Sequence, residues 1–223
     1  MKLDALLNDL VKDGILGKVV AHIYVIEFQK RGLPHAHILL IFADEDKLRS
    51  ADQYDKLICA EIPNKDTHPR LHTIVVGNML HGPCGETNPA EKRCQDNGCC
   101  SKNFPKRFCS ETTDKHDSFP EYRRRNPEEG GESFEVLDKD GAVKWTMDNR
   151  WVVPYCPYLS LRYNCHINVE ICNSIQSIKY LYKYVYKGPD KIAVAIVPQN
   201  TAAGSGFGGG AWHKRWWSWS WPQ

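Results

Sequence analysis

No stretch of this 223-residue chain comes near 18 consecutive apolar residues, so the sequence offers no transmembrane helix. It also lacks a strong charge bias. Its 29 basic and 27 acidic side chains leave a formal net charge of +2, and bulk charge identifies no partner. The opening MKLDALLNDLVKDG lacks the unbroken apolar stretch of a signal peptide, because acids interrupt it; it reads as an amphipathic helix. Nine cysteines without a secretory signal argue for a reducing, intracellular compartment, in which metal binding outranks disulfides.

The hydrophobic share of 42% is enough to bury a core, and the length suits one domain or one domain with insertions. Leu3, Leu6, Leu7, Leu10 and Val11 keep helical spacing and predict a helix over 2–13, ended by Gly14. Residues 18–29 and 35–42 are rich in Val, Ile and Leu and predict two strands joined by a turn at KRGLP. A polar helix is expected over 45–61, further strands over 142–153 and 161–170, and a helix over 172–187 that Gly188-Pro189 stops. Residues 81–133 carry Cys, Pro, Gly and charge with little periodicity, and read as an insertion needing an internal staple. The end, TAAGSGFGGGAWHKRWWSWSWPQ, holds five of the seven tryptophans in its last twelve residues. Such composition suits no packed element, so residues 199–223 are set outside the fold as a Gly/Trp-rich tail.

Charge is local rather than global. Lys102, Lys106, Arg107, Lys115 and the run Arg123-Arg124-Arg125 make residues 100–125 basic, and Lys179, Lys183 and Lys187 form a second stripe. Such clusters in a near-neutral chain point to a nucleic-acid face, with Lys106, Arg107, Lys179 and Lys187 as the expected DNA contacts.

Two histidines, His35 and His37, interrupt the apolar run IEFQKRGLPHAHILLIF. On a strand, residues i and i+2 face the same side, so the two imidazoles project together. The preceding strand carries Glu27 and Gln29, and the short turn brings it alongside. An oxygen ligand beside two nitrogens makes a mixed site for Mg²⁺ or Mn²⁺. Glu27 is the first choice as third ligand because it brings charge; Gln29 is the alternate. Glu170, in YNCHINVE with His166, is a further substitute, although a structural role suits both better.

SIKYLYKYVYKG, residues 177–188, puts Tyr180 and Tyr184 on one helix face, one turn apart; Tyr182 and Tyr186 share another. A tyrosine near a metal and a lysine such as Lys183 can act as nucleophile on a phosphodiester. In LHGPCGETNPAEKRCQDNGCCSKNFPKRFC, His81 and Cys84 have ligand spacing for one side of a tetrahedral zinc site, and Cys94 and Cys100 can supply the other.

Taken together, EFQKRGLPHAHIL, HGPCG, CSKNFPKRF, NRWVVPYCPYLSLRYNCHINVE and SIKYLYKYVYKG resemble the replication-initiator (Rep) domain of Helitron transposases, a branch of the HUH single-strand DNA endonucleases. The resemblance spans residues 1–198. It implies an α+β fold, a central antiparallel sheet flanked by helices, with the Cys-rich insertion 81–133. It implies that His35 and His37 are the metal histidines, and that Tyr180 and Tyr184 are the paired catalytic tyrosines of a YxxKY pattern. The family blocks also carry a histidine at the position of His81 and cysteines at those of Cys84, Cys94 and Cys100; Cys99 and Cys109 are extras.

The implied activity is nicking and strand transfer of single-stranded DNA in rolling-circle transposition, in the nucleus. A Helitron protein continues into a helicase domain, but no GxxxxGK[ST] phosphate loop occurs here, so this chain should nick and join DNA without unwinding it. Two other readings compete: a catalytically inactive, transposon-derived nucleic-acid-binding module, and a zinc-stabilised RNA- or protein-binding domain in which the histidine pair is structural.

Overall fold

The structure is a computed structural model that describes residues 2–28, 34–115, 119–172, 191–196 and 214–220. In chain order its main elements are α1 (Lys2–Leu7), β1 (Val19–Phe28), β2 (Pro34–Phe42), α2 (Ala51–Asp55), α3 (Pro69–Asn78), β3 (Gln95–Asp96), β4 (Cys99–Cys100), β5 (Ser133–Leu137), β6 (Val143–Asp148), α4 (Pro157–Tyr163), β7 (His166–Cys172), β8 (Lys191–Ile196) and β9 (Lys214–Ser220). The class is α+β. The chain divides into two compact units, one of residues 1–54, 114–120 and 167–223, the other of residues 55–113 and 121–166.

The first unit holds a five-stranded sheet of order β7-β9-β2-β1-β8. The expected hairpin is present: β1 and β2 pair antiparallel from Phe28↔Pro34 to Val19↔Phe42. β2 lies between β9 and β1, and Ala36 to Leu40 are all buried. Burial on both faces explains why the strand reads as a continuous apolar run without alternation. The N-terminal helix also forms. Leu3, Leu6 and Leu10 are buried, α1 continues through a wider π-type turn over Asn8–Lys12, and Gly14 with φ +59 ends it.

The helix expected over 45–61 does not form as one element. A 3₁₀ turn covers Asp44–Asp46, α2 is five residues long, and Cys59 already pairs in extended form with Tyr155. The run is polar, and no apolar stripe holds it helical. β9 occupies part of the tail that composition set aside; its backbone pairs antiparallel with β2. The helix expected over 172–187 lies outside the described residues, save Cys172 at the end of β7.

In the second unit, α3 was not legible from periodicity, yet Pro69 opens it and Leu71, Ile74 and Val75 bury one face. Leu71 and Val75 join a core with Ile62, Met79, Val152 and Tyr155. The strand expected over 161–170 is corrected: α4 runs to Tyr163, Asn164 turns left-handed at φ 44, and β7 starts at His166. The strand expected over 142–153 ends at Asp148, where the Asp148 carboxylate accepts the Arg150 N–H and opens a 3₁₀ turn.

Within the basic run at 123–125, Arg124 serves this core, while Arg123 and Arg125 stay partly exposed. Arg124 is 4% exposed, and its guanidinium donates to the carbonyls of Ala60, Asn149 and Val152. Glu61, also buried, accepts from both the backbone and the guanidinium of Arg125, and Arg123 lies 3.4 Å away. These pairs hold the Glu61 carboxyl below the usual carboxylate range, although burial works the other way.

Arg124→Ala would leave three buried carbonyls without a cationic donor. We expect it to destabilise the chain by about 3 kcal/mol or more. Urea denaturation measures this; a loss below about 0.5 kcal/mol would contradict the anchoring role.

Candidate metal centres

In an antiparallel pair, residues in direct register share a face. Glu27 sits directly opposite His35, and Val25 opposite His37. Glu27, His35 and His37 therefore point to one side of the sheet. Glu27 Oε2 lies 3.3 Å from His37 Nε2. His37 is 4% exposed and Glu27 19%. Burial lowers the His35 pKa, and the Glu27 charge only partly opposes this. Its imidazole is thus favoured in the neutral form, the form that can ligate a metal. Two nitrogens and one carboxylate thus share one face; among the described residues, the ligand atoms that gather closely enough to hold a metal are those of the cysteine-histidine cluster in the second unit.

Several expected residues lie outside the described ones: the alternate ligand Gln29, the tyrosines Tyr180 and Tyr184, and Lys179, Lys183 and Lys187. Glu170 is on β7, which β9 separates from β2 in the sheet order. His166 Nδ1 is 2.6 Å from the carbonyl oxygen of Asn78, which gives it a structural partner.

The second centre lies wholly within the second unit. One ligand atom from each of His81, Cys84, Cys94 and Cys100 lies within 4.8 Å of the others. His81 Nε2 is 3.3 Å from Cys84 Sγ, 3.5 Å from Cys94 Sγ and 3.4 Å from Cys100 Sγ. A tetrahedral zinc site with its usual bond lengths puts nitrogen and sulfur roughly 3.6 Å apart. The cluster can therefore hold a metal such as zinc.

Local sequence builds this geometry. β3 and β4 form a minimal hairpin around Asn97-Gly98, with φ 51 and 82. Two successive positive φ values are those of a type I′ turn, for which Asn-Gly is the preferred pair. The hairpin brings Cys94 beside Cys100, and the Ser101 N–H donates to the Cys94 carbonyl at 2.6 Å. Strand alternation turns Cys100 inward and leaves Cys99 exposed. Gly85 follows Cys84 at φ +62, and a Cβ there would stand 3.3 Å from the Gly98 carbonyl oxygen and 3.4 Å from the Cys100 nitrogen. Cys109, the other extra cysteine, donates to the Tyr122 carbonyl.

Thiol electrostatics in the cluster are split. Burial, with Cys94 and Cys100 alongside, pushes the Cys84 thiol up to about 12. Burial acts in the same sense on Cys100, but the backbone N–H groups of Phe104 and Lys102 outweigh it and bring that thiol below its ordinary value. Of the two basic residues expected at DNA in this region, Arg107 makes a two-pronged pair with Glu121, and the Lys106 ammonium donates to the Lys102 carbonyl at 2.8 Å.

Residues 1–40 match the family model described as the Helitron helicase-like domain at N-terminus. The matched stretch contains Glu27, His35 and His37, so the first centre falls inside a Helitron helicase-like N-terminal region. No curated protein matches the chain. Among the described residues, no helix is long and apolar enough to cross a membrane.

Elemental analysis of protein purified without chelator should find about one zinc per chain at the cysteine-histidine cluster, and Cys84→Ser or Cys100→Ser should remove it. Adding zinc to the metal-free chain near pH 7.5 should release protons, because the Cys84 thiol, held protonated by burial, must ionise to ligate. No zinc in the wild-type protein would contradict the assignment.

Proposed function

We propose that this chain is a metal-dependent nickase and strand transferase of single-stranded DNA, acting in rolling-circle transposition of the Helitron type. One observation carries the reading. Glu27 stands opposite His35 and 3.3 Å from His37, within the forty residues that match the Helitron-type domain. A structural histidine pair would not need a carboxylate set against it on a sheet this apolar. The five-stranded sheet carrying the pair is in keeping with an HUH endonuclease-like fold.

In this reading Glu27, His35 and His37 hold Mg²⁺ or Mn²⁺, with Gln29 as the alternate oxygen donor. When bound, the ion supplies positive charge to polarise the scissile phosphate. The side chains do the rest. His35, kept neutral by burial, offers its lone pair to the site rather than a proton. The Tyr180 hydroxyl attacks phosphorus, its proton leaving to solvent. The P–O bond to the 3′ oxygen breaks, a 3′ hydroxyl is released, and a phosphotyrosine keeps the bond energy for rejoining. Tyr184, four residues further along the sequence, provides a second covalent joint, which strand transfer requires and simple cleavage does not. Lys183 steadies the phosphate, and Lys179 and Lys187 hold neighbouring phosphates of the DNA. Unwinding would fall to a helicase domain, and the site of action would be the nucleus. The cysteine-histidine cluster binds Zn²⁺ as a structural staple.

The test is incubation of the chain with a single-stranded oligonucleotide and Mn²⁺, followed by a denaturing gel for a covalent protein–DNA adduct. His35→Ala and His37→Ala should each abolish cleavage while leaving the circular dichroism spectrum unchanged. Tyr180→Phe and Tyr184→Phe should impair different steps, and the double change should remove the adduct. Wild-type cleavage with both histidines replaced would sink the metal assignment. DNA attached to Tyr182 or Tyr186 would show that the other tyrosine pair does the chemistry.

A further inference from the structure

The loop after Cys100, SKNFPKRF, packs against the cysteine-histidine cluster in an arrangement that ligand spacing does not require. The Phe104 ring stacks on the His81 imidazole, with centroids 4.4 Å apart and planes within 19°. On the same ring lies the Lys106 ammonium, 5.0 Å from its centroid. Lys106 Nζ donates to the Lys102 carbonyl at 2.8 Å, and the Lys102 N–H donates to Cys100 Sγ at 3.3 Å. The loop and the histidine share one support, since the Lys106 N–H donates to the Arg150 carbonyl and the His81 N–H to the Trp151 carbonyl.

Charge explains why cations belong there. A divalent ion with three thiolates and one neutral imidazole carries a net charge of −1. An uncompensated anion in a half-buried site is costly. The Lys106 ammonium lies over the ring that stacks on His81, and Lys102 follows the ligand Cys100 by two residues and donates its N–H to that sulfur, so both cations belong to the immediate surroundings of the cluster. The aromatic ring between imidazole and ammonium restricts rotation of the ligand and attracts the cation through its face.

We propose that Phe104, Lys102 and Lys106 are positioning residues of the metal centre: the ring fixes the His81 imidazole in its ligating orientation, and the two lysines offset the charge of the metal–thiolate cluster. This rests on the reading that the cluster binds zinc, and it removes Lys106 from the expected DNA contacts. Groups that orient metal ligands from outside the coordination sphere typically change affinity by about 10–100-fold when lost.

The experiment uses the full chain, stripped of metal under reducing conditions and titrated with Co²⁺. Visible ligand-field and thiolate charge-transfer bands report tetrahedral binding, and competition with Zn²⁺ gives the zinc affinity. Changing Lys102→Gln and Lys106→Gln together should weaken binding about tenfold or more. The paired Lys102→Arg and Lys106→Arg changes should restore it to near the wild-type value. Phe104→Leu should weaken binding by a similar factor and shift the ligand-field bands, whereas Phe104→Tyr should preserve both. Wild-type metal affinity in the Gln pair, with or without weaker binding to a single-stranded oligonucleotide, would overturn the inference alone. A wild-type chain with no tetrahedral thiolate spectrum would overturn the zinc reading, and the inference with it.

Discussion

The side-chain period of a strand is two residues, and everything proposed for the first unit depends on the register this imposes on β1 and β2. With Glu27 opposite His35, the carboxylate and both imidazoles fall on one face. A slip of one residue would place Ile26 or Phe28 there and carry Glu27 to the other side. The register is well defended. Ala36 to Leu40 are buried, so a slip would exchange one packed face for the other along the whole strand. The shared face is thus a by-product of core packing: the apolar residues that make β2 hydrophobic also hold the two imidazoles in place.

The second unit solves a different problem. Its centre gathers ligands from residues 81 to 100, where few apolar residues are available for packing, and it uses turn chemistry instead. The Asn97-Gly98 turn pairs Gln95 with Cys100 and so brings the adjacent Cys94 near it, and Gly85 lets the segment around Cys84 approach the hairpin backbone closely. A structural metal suits such a segment, because binding free energy replaces the apolar burial that the sequence cannot supply. Nearby, the buried guanidinium of Arg124 satisfies carbonyls at Ala60, Asn149 and Val152. Arg124 is thus an internal fastener, although in a linear reading it belongs to a basic run.

Legibility in the sequence followed the strength of periodic signals. The N-terminal helix and the β1–β2 hairpin carry strong apolar patterns, and both form. The His81, Cys84, Cys94 and Cys100 set was readable from spacing and family resemblance, and the structure brings those four together. The polar stretch 45–61 had composition but no stripe, and it breaks into a 3₁₀ turn, a short helix and extended chain. The run 161–170 divides at Asn164, which enters the left-handed region and separates α4 from β7; asparagine is a favoured helix-ending residue there, but the apolar residues on either side mask that local signal. The hairpin at Asn97-Gly98 has a plain local signal in the DNG triplet, which ligand spacing does not contain. The roles of Phe104 and Arg124 depend on contacts far along the chain, and no local pattern announces them.

The central claim is that Glu27, His35 and His37 form one divalent-metal site on the sheet. The most direct measurement is anomalous diffraction from crystals of the chain soaked in Mn²⁺. The account predicts an anomalous peak within bonding distance of both imidazoles and of the Glu27 carboxylate. A peak elsewhere with this trio empty, or the two histidines found on opposite faces of β2, would contradict it.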